Sequence, residues 1–399
     1  MNAPLTHTVA LIRDDAEALA VAETLAQAFR PGAAGRDRER RLPHAELEAF
    51  SHSGLWGITV PARFGGAGVS SVTLARVIAR IAQADSSLGQ IPQNHFYALE
   101  VLRINGTAEQ QRRLYAEALA GRRFGNALAE LGTKTALERN TRLRHDGARY
   151  RIDGRKFYAT GALYAQRIPT LAVDDDGIAQ LAFVPRQAPG LQVIDDWTGF
   201  GQRTTGSGSV VFDNVPVEAD DVVPFQAAFD RPTTLGPFAQ ILHAAIDTGI
   251  ARAAYEDTLA FVRSNARPWI DAGVDRASDD PLTLNAVGRL AIHLHAAEAL
   301  LERAGESLDH AQATPDAETV AAASIAVAEA RAIATEASLA AGSKLLELSG
   351  SRATLAEYNL DRHWRNARTH TLHDPVRWKY HAVGNYYLND ALPPRRGTI

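Results

Sequence analysis

The sequence predicts an α+β protein in three consecutive parts: a helical domain over residues 1–124, an antiparallel β-barrel over 125–228 and a C-terminal four-helix bundle over 229–399. Apolar residues recur at helical spacing as far as Phe124, alternate at strand spacing through the middle, and return to helical spacing from Pro237. Turn signals such as Asp153-Gly154 and the run "DDDG" from Asp174 crowd the middle segment. At 399 residues the chain is also too long for one simple core.

In the first part, Ala18, Val21, Ala22, Leu25 and Phe29 fall on one helical face, and Leu74, Val77, Ile78 and Ile81 repeat the spacing. Thr107 with Gln110 makes a capping box, opening a helix that runs through Leu114 and Ala118 and stops at Gly121. In the middle part, Tyr150 and Ile152 alternate with polar neighbours up to Asp153-Gly154, where a hairpin turn is expected before "KFYAT". "PTLAV", "DDDG" and "IAQLAFVP" make a second hairpin, and "GSVVFDNVPV" a further strand. In the last part, Leu290, Leu294, Ala297, Leu301, Ala304 and Leu308 step by four and three, the seam of a bundle helix. The next helix offers Val320, Ala323, Val327, Ala330, Ala334, Ala337 and Ala341, small side chains that allow close approach and predict a central place.

Composition narrows the function. With 46% hydrophobic and 22% charged residues the chain reads as soluble and globular. A formal charge of −4 gives no electrostatic basis for nucleic acid or an anionic membrane as partner. The absence of cysteine removes disulfides, thiolate catalysis, Fe–S clusters and zinc–thiolate sites together, and fits a reducing cytoplasm. "MNAPLTHTVALIRDD" at the start lacks a charged-then-apolar leader pattern, and no apolar run reaches membrane-spanning length. A cytoplasmic protein taking a small substrate or a protein partner is expected. "RDRERR", Arg36 to Arg41, mixes acidic with basic residues and is expected as a solvated surface turn.

Local motifs are tested against simpler readings. The glycines of "GFGQRTTGSGSVVF" run into a strand, whereas a dinucleotide fingerprint must open a helix. "DDDG" lacks the downstream Glu of a calcium loop. His370, His373 and Asp374 resemble a two-His-one-carboxylate set, but near neighbours at a helix cap do not converge on one ion, and no metal is expected. Asp374-Pro375 reads as a helix start, which puts His373 at the positive end of a helix dipole, where a neutral imidazole is favoured.

The order of domains and several separate motifs resemble the acyl-CoA dehydrogenase superfamily. "VPARFGGAGVS" from Val60 is similar to its Pro-x-x-Tyr/Phe-Gly-Gly-x-Gly segment, and "RKFYATGA" from Arg155 to the strand that lies against the flavin ring. "FGNALAELGTKT" from Phe124 stands at the flavin-edge loop, and "DRHWRNAR" from Asp361 at the family's Arg-Asp-Ala-Arg run. The dehydrogenases carry a catalytic Glu just after that run or on an earlier bundle helix. Here "THTLHDP" follows, with His373 and no glutamate, so the carboxylate base that α-proton abstraction from a thioester needs is missing from this stretch.

"QNHFYA" from Gln93, "FYATG", "GFGQRTTGSGS" and "WRNARTHTLHDP" are similar instead to the flavin monooxygenases of sulfur metabolism on this fold, of the dibenzothiophene and sulfur-acquisition types. That resemblance implies reduced FMN delivered by a separate NAD(P)H:flavin reductase, molecular oxygen as co-substrate, and a small organosulfur substrate. It implies His95, His373 and Thr160 as catalytic neighbours of flavin and substrate. Asn126, Phe157, Tyr158 and Thr160 would border the ring. Arg267 in "NARPWI" stands at the superfamily's phosphate-facing arginine, although the aromatic expected three residues later is Ile270. Arg352 in "LSGSRATL" replaces a glycine-rich turn that contacts a neighbouring subunit's flavin; it either meets the phosphate of FMN or caps the helix ending near Gly350. Trp197 is also implied beside the cofactor; it and Arg203 form a substrate-side wall or pack in the interior. A homotetramer is implied by the way superfamily members pair their bundles. Two other functions stay open at this point: a flavin dehydrogenase with another base, and a non-catalytic flavin-binding member.

Overall fold

The computed structural model describes residues 9–135 and 138–399; residues 1–8, part of the stretch read above for a leader, lie outside them. Among the described residues seven α-helices come first: α1 (Asp15–Phe29), α2 (Ala33–Glu39), α3 (His44–His52), α4 (Ser71–Ala84), α5 (Ser86–Gln90), α6 (Gln93–Asn105) and α7 (Ala108–Leu119). Their starts are chemically marked. Asp14 accepts from the Glu17 N–H at the head of α1, Ser70 from the Thr73 N–H at α4, and Thr107 and Gln110 exchange both bonds of the expected capping box at α7. The predicted faces of α1 and α4 are the ones that enter the core, with Val21 at its edge.

Seven strands follow: β1 (Arg142–Asp146), β2 (Arg149–Lys156), β3 (Arg167–Val173), β4 (Ala179–Pro185), β5 (Leu191–Ile194), β6 (Ser209–Glu218) and β7 (Val222–Pro224). They form one sheet in the order β5-β6-β2-β1-β3-β4-β7, every pair antiparallel except β1 with β3. "DDDG" makes the expected β3–β4 turn, with Asp174 accepting from the N–H groups of Asp176 and Ile178. The first hairpin turns elsewhere than expected. Gly147 and Ala148, after Asp146, close it, while Asp153-Gly154 runs on inside β2 as a register shift. Thr141 decides this: a Cβ on Gly154 would lie 2.5 Å from its Oγ1 and 2.8 Å from its Cα, so the second Asp-Gly pair serves close chain approach.

After the short α8 (Ala227–Asp230) the bundle is built from α9 (Leu235–Ser264), α10 (Pro281–Ala313) and α11 (Ala317–Ser349), with a last arm split into α12 (Asp361–His370) and α13 (Arg377–Asn389). The predicted seam of α10 and the small-residue face of α11 are buried. Gly249 lets α9 lie on α4, since a Cβ there would come 2.4 Å from the Ala79 carbonyl oxygen. One apolar core runs from Ile12 through α9 to Ala367, so the N-terminal helices and the bundle are packed as one body, while the sheet keeps a core of its own.

Two charged features shape the junction. "RDRERR" is not a solvated turn throughout: Arg36 is buried, bonded to Asp85 (2.8 Å), Glu46 (2.7 Å) and the Phe29 carbonyl (2.5 Å), and Asp37 is buried against Arg365 (2.7 Å). A guanidinium surrounded by three acceptors is retained inside because its donors are matched, which charge composition alone does not reveal. Lys156, fully buried at the end of β2, bonds Glu130 at 2.6 Å and thereby anchors the segment after Phe124 to the sheet.

Candidate functional site

Four chain segments meet where the sheet faces α12. Gly125 packs on Ala162, where a Cβ would lie 2.6 Å from the Ala162 Cα, so segments 124–130 and 157–162 run side by side. The Phe157 N–H donates to the Ala129 carbonyl (3.0 Å), and the Asn126 side chain spans the gap, donating to the Tyr158 carbonyl (3.1 Å) and accepting from the Leu128 N–H (3.0 Å). Tyr158 is held at a φ of +55°, strained for a residue with a Cβ, and its ring is half exposed. Trp197 stands 6.4 Å from the Phe157 ring and 6.2 Å from that of Tyr158, with its indole N–H on the Gln202 carbonyl (2.9 Å). The hydroxyl of Thr160 continues through Ser207 (2.6 Å) to Thr205 (2.7 Å).

Asn126, Phe157, Tyr158, Thr160 and Trp197, drawn from three parts of the sequence, are thus brought into one wall. Its chemistry suits a flat, partly apolar ring with a polar edge: aromatic faces, a row of hydroxyls, and the N–H groups of Asn126 and Tyr158, which have no partner among the described residues. Asn366 on α12 accepts from the Gln202 N–H (2.7 Å) and Trp364 stacks on Phe200 (6.0 Å), so α12 is fixed to this wall.

His95 does not reach it as a ligand. The imidazole is fully buried among the rings of Trp56, Phe96 and Phe124; Nδ1 accepts from the Phe124 N–H (3.1 Å), which leaves the proton on Nε2 to donate to the Trp56 carbonyl (2.8 Å). Burial pushes its pKa down to about 3. With both nitrogens committed to backbone groups, His95 sets where segment 124–130 begins.

Arg267 and Arg352 also stand apart from the wall. Both are exposed, beyond the ends of α9 and α11, around the cluster of Phe261, Leu345, Ala353 and Leu360. Arg352 donates from Nε to the Tyr358 hydroxyl (3.1 Å) and lies over its ring. Arg203 is half-buried beside Gln202.

His373 is placed differently from the expected helix start. Its N–H donates to the His370 carbonyl (3.0 Å), so it belongs to the turn that ends α12, and α13 begins only at Arg377. Asp374 is not a cap. It is buried between cations, 2.7 Å from the Lys379 ammonium and 3.8 Å from Arg331, and accepts from His373 Nδ1 at 3.0 Å. Burial would raise its pKa, but His373, Arg331 and Lys379 outweigh that and hold it well below the carboxylate range. Two buried cations satisfy a carboxylate better than the N–H groups of a short exposed helix start, which is why the local capping signal loses. The His373 ring, 44% exposed, lies against His243 with centroids 3.9 Å apart. His243 was missed in the sequence; the available signal was His243 and Asp247, one turn apart within an otherwise apolar stretch of helix.

Comparison with known proteins now adds identity of a different kind. The acyl-CoA dehydrogenase N-terminal domain family matches residues 14–122 and the C-terminal domain family residues 241–378. The dibenzothiophene monooxygenase of Mycolicibacterium goodii is 34% identical over 389 residues, 94% of either chain. A probable FMNH2-dependent monooxygenase, SfnC, of Pseudomonas putida is 33% identical, covering 94% of this chain and 96% of its own. The crystal structure of FMN-bound TdsC from Paenibacillus sp. A11-2 superposes with a TM-score of 0.92 at 33% identity, over 96% of this chain and 100% of that one.

The buried His95 carries a pH dependence with a definite sign. Unfolded, it takes a proton below about 6.5; folded, it stays neutral until about 3. Stability linked to this group is therefore full above the unfolded pKa and is lost as pH falls from about 6.5 toward about 3. His95→Phe should lack that component in denaturant titrations across the range, while losing about 2 kcal/mol at neutral pH from the two orphaned backbone groups. A His95 resonance titrating near its ordinary value would contradict the assignment.

Proposed function

The chain belongs to the acyl-CoA dehydrogenase family, and from that membership we propose that it is an FMN-dependent monooxygenase that receives reduced flavin from a separate reductase and oxygenates a small organosulfur compound. The observation that carries this is the state of Asp374. It is the first carboxylate after the "RNAR" run, and it is locked between Lys379, Arg331 and His373. A carboxylate so paired is no base for a thioester, whereas the imidazole beside it is half exposed and can exchange a proton.

Reduced FMN would supply the activation of dioxygen. The protein's share is binding and proton management. Asn126, Phe157, Tyr158, Thr160 and Trp197 would border the ring, with the Thr160–Ser207 hydroxyls and the Tyr158 N–H available to its polar edge. The exposed imidazole of His373 would supply a proton at this site. Arg267 and Arg352 take the phosphate. Since neither contacts the wall within one chain, they act from a neighbouring subunit of a homotetramer. Exposed Trp269, Ile270, Leu282, Ile292 and Leu388 on the bundle support such packing. No helix among the described residues is long and apolar enough to cross a membrane, and with the cysteine-free sequence this supports a cytoplasmic site of action.

FMN should bind more tightly than FAD, and Arg267→Ala or Arg352→Ala should weaken FMN by about 1.5–3 kcal/mol in calorimetric titration, the worth of a charge-assisted hydrogen bond. Equal affinity for both flavins, unmoved by either change, would remove these arginines from the site. His373→Ala should keep fold and FMN affinity yet lose oxygenated product, with the reducing equivalents of the flavin appearing as hydrogen peroxide. Wild-type coupling in that variant would return His373 to a structural role.

A further inference from the structure

The first half of α9 is buried, yet it carries His243 and Asp247, 2% and 0% exposed. Both meet His370 of α12. His370 Nδ1 is 2.5 Å from Asp247 Oδ1, and His370 Nε2 is 3.1 Å from His243 Nδ1. Arg331 of α11 donates to the other Asp247 oxygen and reaches toward Asp374, which holds Lys379 of α13 and His373. The circuit closes where His373 lies on His243.

The bonds fix the protons. Asp247 can only accept, so His370 Nδ1 carries a proton, and in the neutral ring Nε2 presents a lone pair. His243 must then donate from Nδ1, which leaves its own Nε2 with a lone pair and no partner among the described residues. The charges agree: Asp247 and Asp374 are balanced by Arg331 and Lys379, with no counter-ion left for a resident imidazolium. Burial, together with His373, His370 and Arg331, keeps His243 neutral well below its ordinary titration range.

We propose that His243 is a second acid–base imidazole of the His373 site, made so by His370 and Asp247 as positioning residues. The proposal rests on the reading of His373 as part of the oxygenation site. A proton entering at His243 Nε2 releases the Nδ1 proton to His370 Nε2, leaving an imidazolium paired with the Asp247 carboxylate; the reverse shift returns a proton to the site. The arrangement shares the logic of a hydrolase triad, with an imidazole in place of the nucleophile. Because the His243 and His373 rings lie with centroids 3.9 Å apart, the proton returned through His243 Nε2 is released beside His373.

Nitrogen NMR of the histidine side chains in the full-length, cofactor-free protein tests the relay without any turnover. His243 and His370 should both carry their proton on Nδ1 and stay neutral as the pH is lowered through the ordinary histidine range. In the FMN-loaded enzyme, Asp247→Asn, which keeps an acceptor for His370 but removes the charge, should lower kcat for product roughly 10²-fold. KM should hold, and the pH profile should change. His243→Gln should lose product likewise, as a second variant should Asp247→Asn fail to fold. A proton on His243 Nε2 in the resting protein, or His243→Gln with wild-type coupling and pH profile, overturns the proposal. The predicted tautomers in a protein that oxygenates no sulfur compound would support the relay while refuting the monooxygenase reading, so the two failures are distinguishable.

Discussion

Arg331 is the charge on which the arrangement of the site depends. It is buried on α11 between two buried carboxylates, Asp247 of α9 and Asp374 ahead of α13. None of these groups is tolerable alone inside a protein: removing one partner of a buried ion pair leaves an uncompensated charge, which costs about 3–5 kcal/mol. The helices must therefore stay where the charges meet. α9 and α11 are set against each other by it, and the turn carrying His373 is pulled inward by Asp374 and Lys379 rather than being released as a helix start.

From that fixed point the rest of the site follows by short links. α12 runs from Asp361 to His370 with His370 seated on Asp247 at one end and Asn366 and Trp364 holding the 200–204 loop in its middle. The loop orders Trp197 and the Thr160–Ser207–Thr205 hydroxyls, and the sheet is tied to the helical body a second time through His95, Phe124 and the Lys156–Glu130 pair. The wall is thus assembled from the middle sheet and fixed to α12 of the bundle. The strained Tyr158 backbone sits at the centre of this junction, where surrounding bonds from Asn126 and Ala129 maintain it.

Much of this was legible because it is periodic or local. The α10 seam and the alanine face of α11 obey a helical repeat, and the Thr107–Gln110 box is complete within four residues. Asn126, Phe157, Tyr158 and Thr160, named from short motifs, do lie together in the structure. What escaped was decided at long range. Two Asp-Gly pairs compete for one turn, and only contact with Thr141 shows that Gly154 serves close approach. Asp374-Pro375 spells a helix cap unless Arg331 and Lys379 are known to be near. His95 looks like an available imidazole until the Trp56 carbonyl and Phe124 N–H take both nitrogens. Arg36 looks like one charge in a polar run until Asp85 and Glu46 are seen around it.

After the "RNAR" run the chain offers two polar groups side by side, the carboxylate of Asp374 and the imidazole of His373. In this chain the carboxylate is consumed by cations and the imidazole is left open. The most direct test is a single turnover: reduced FMN loaded anaerobically, an organosulfur compound such as dibenzothiophene added, then isotopically labelled dioxygen admitted and the products weighed by mass spectrometry. The account predicts one labelled oxygen atom on the sulfur product for each turnover and one in water. No label in the sulfur compound, together with reduction of bound oxidised flavin by an acyl thioester, would contradict it.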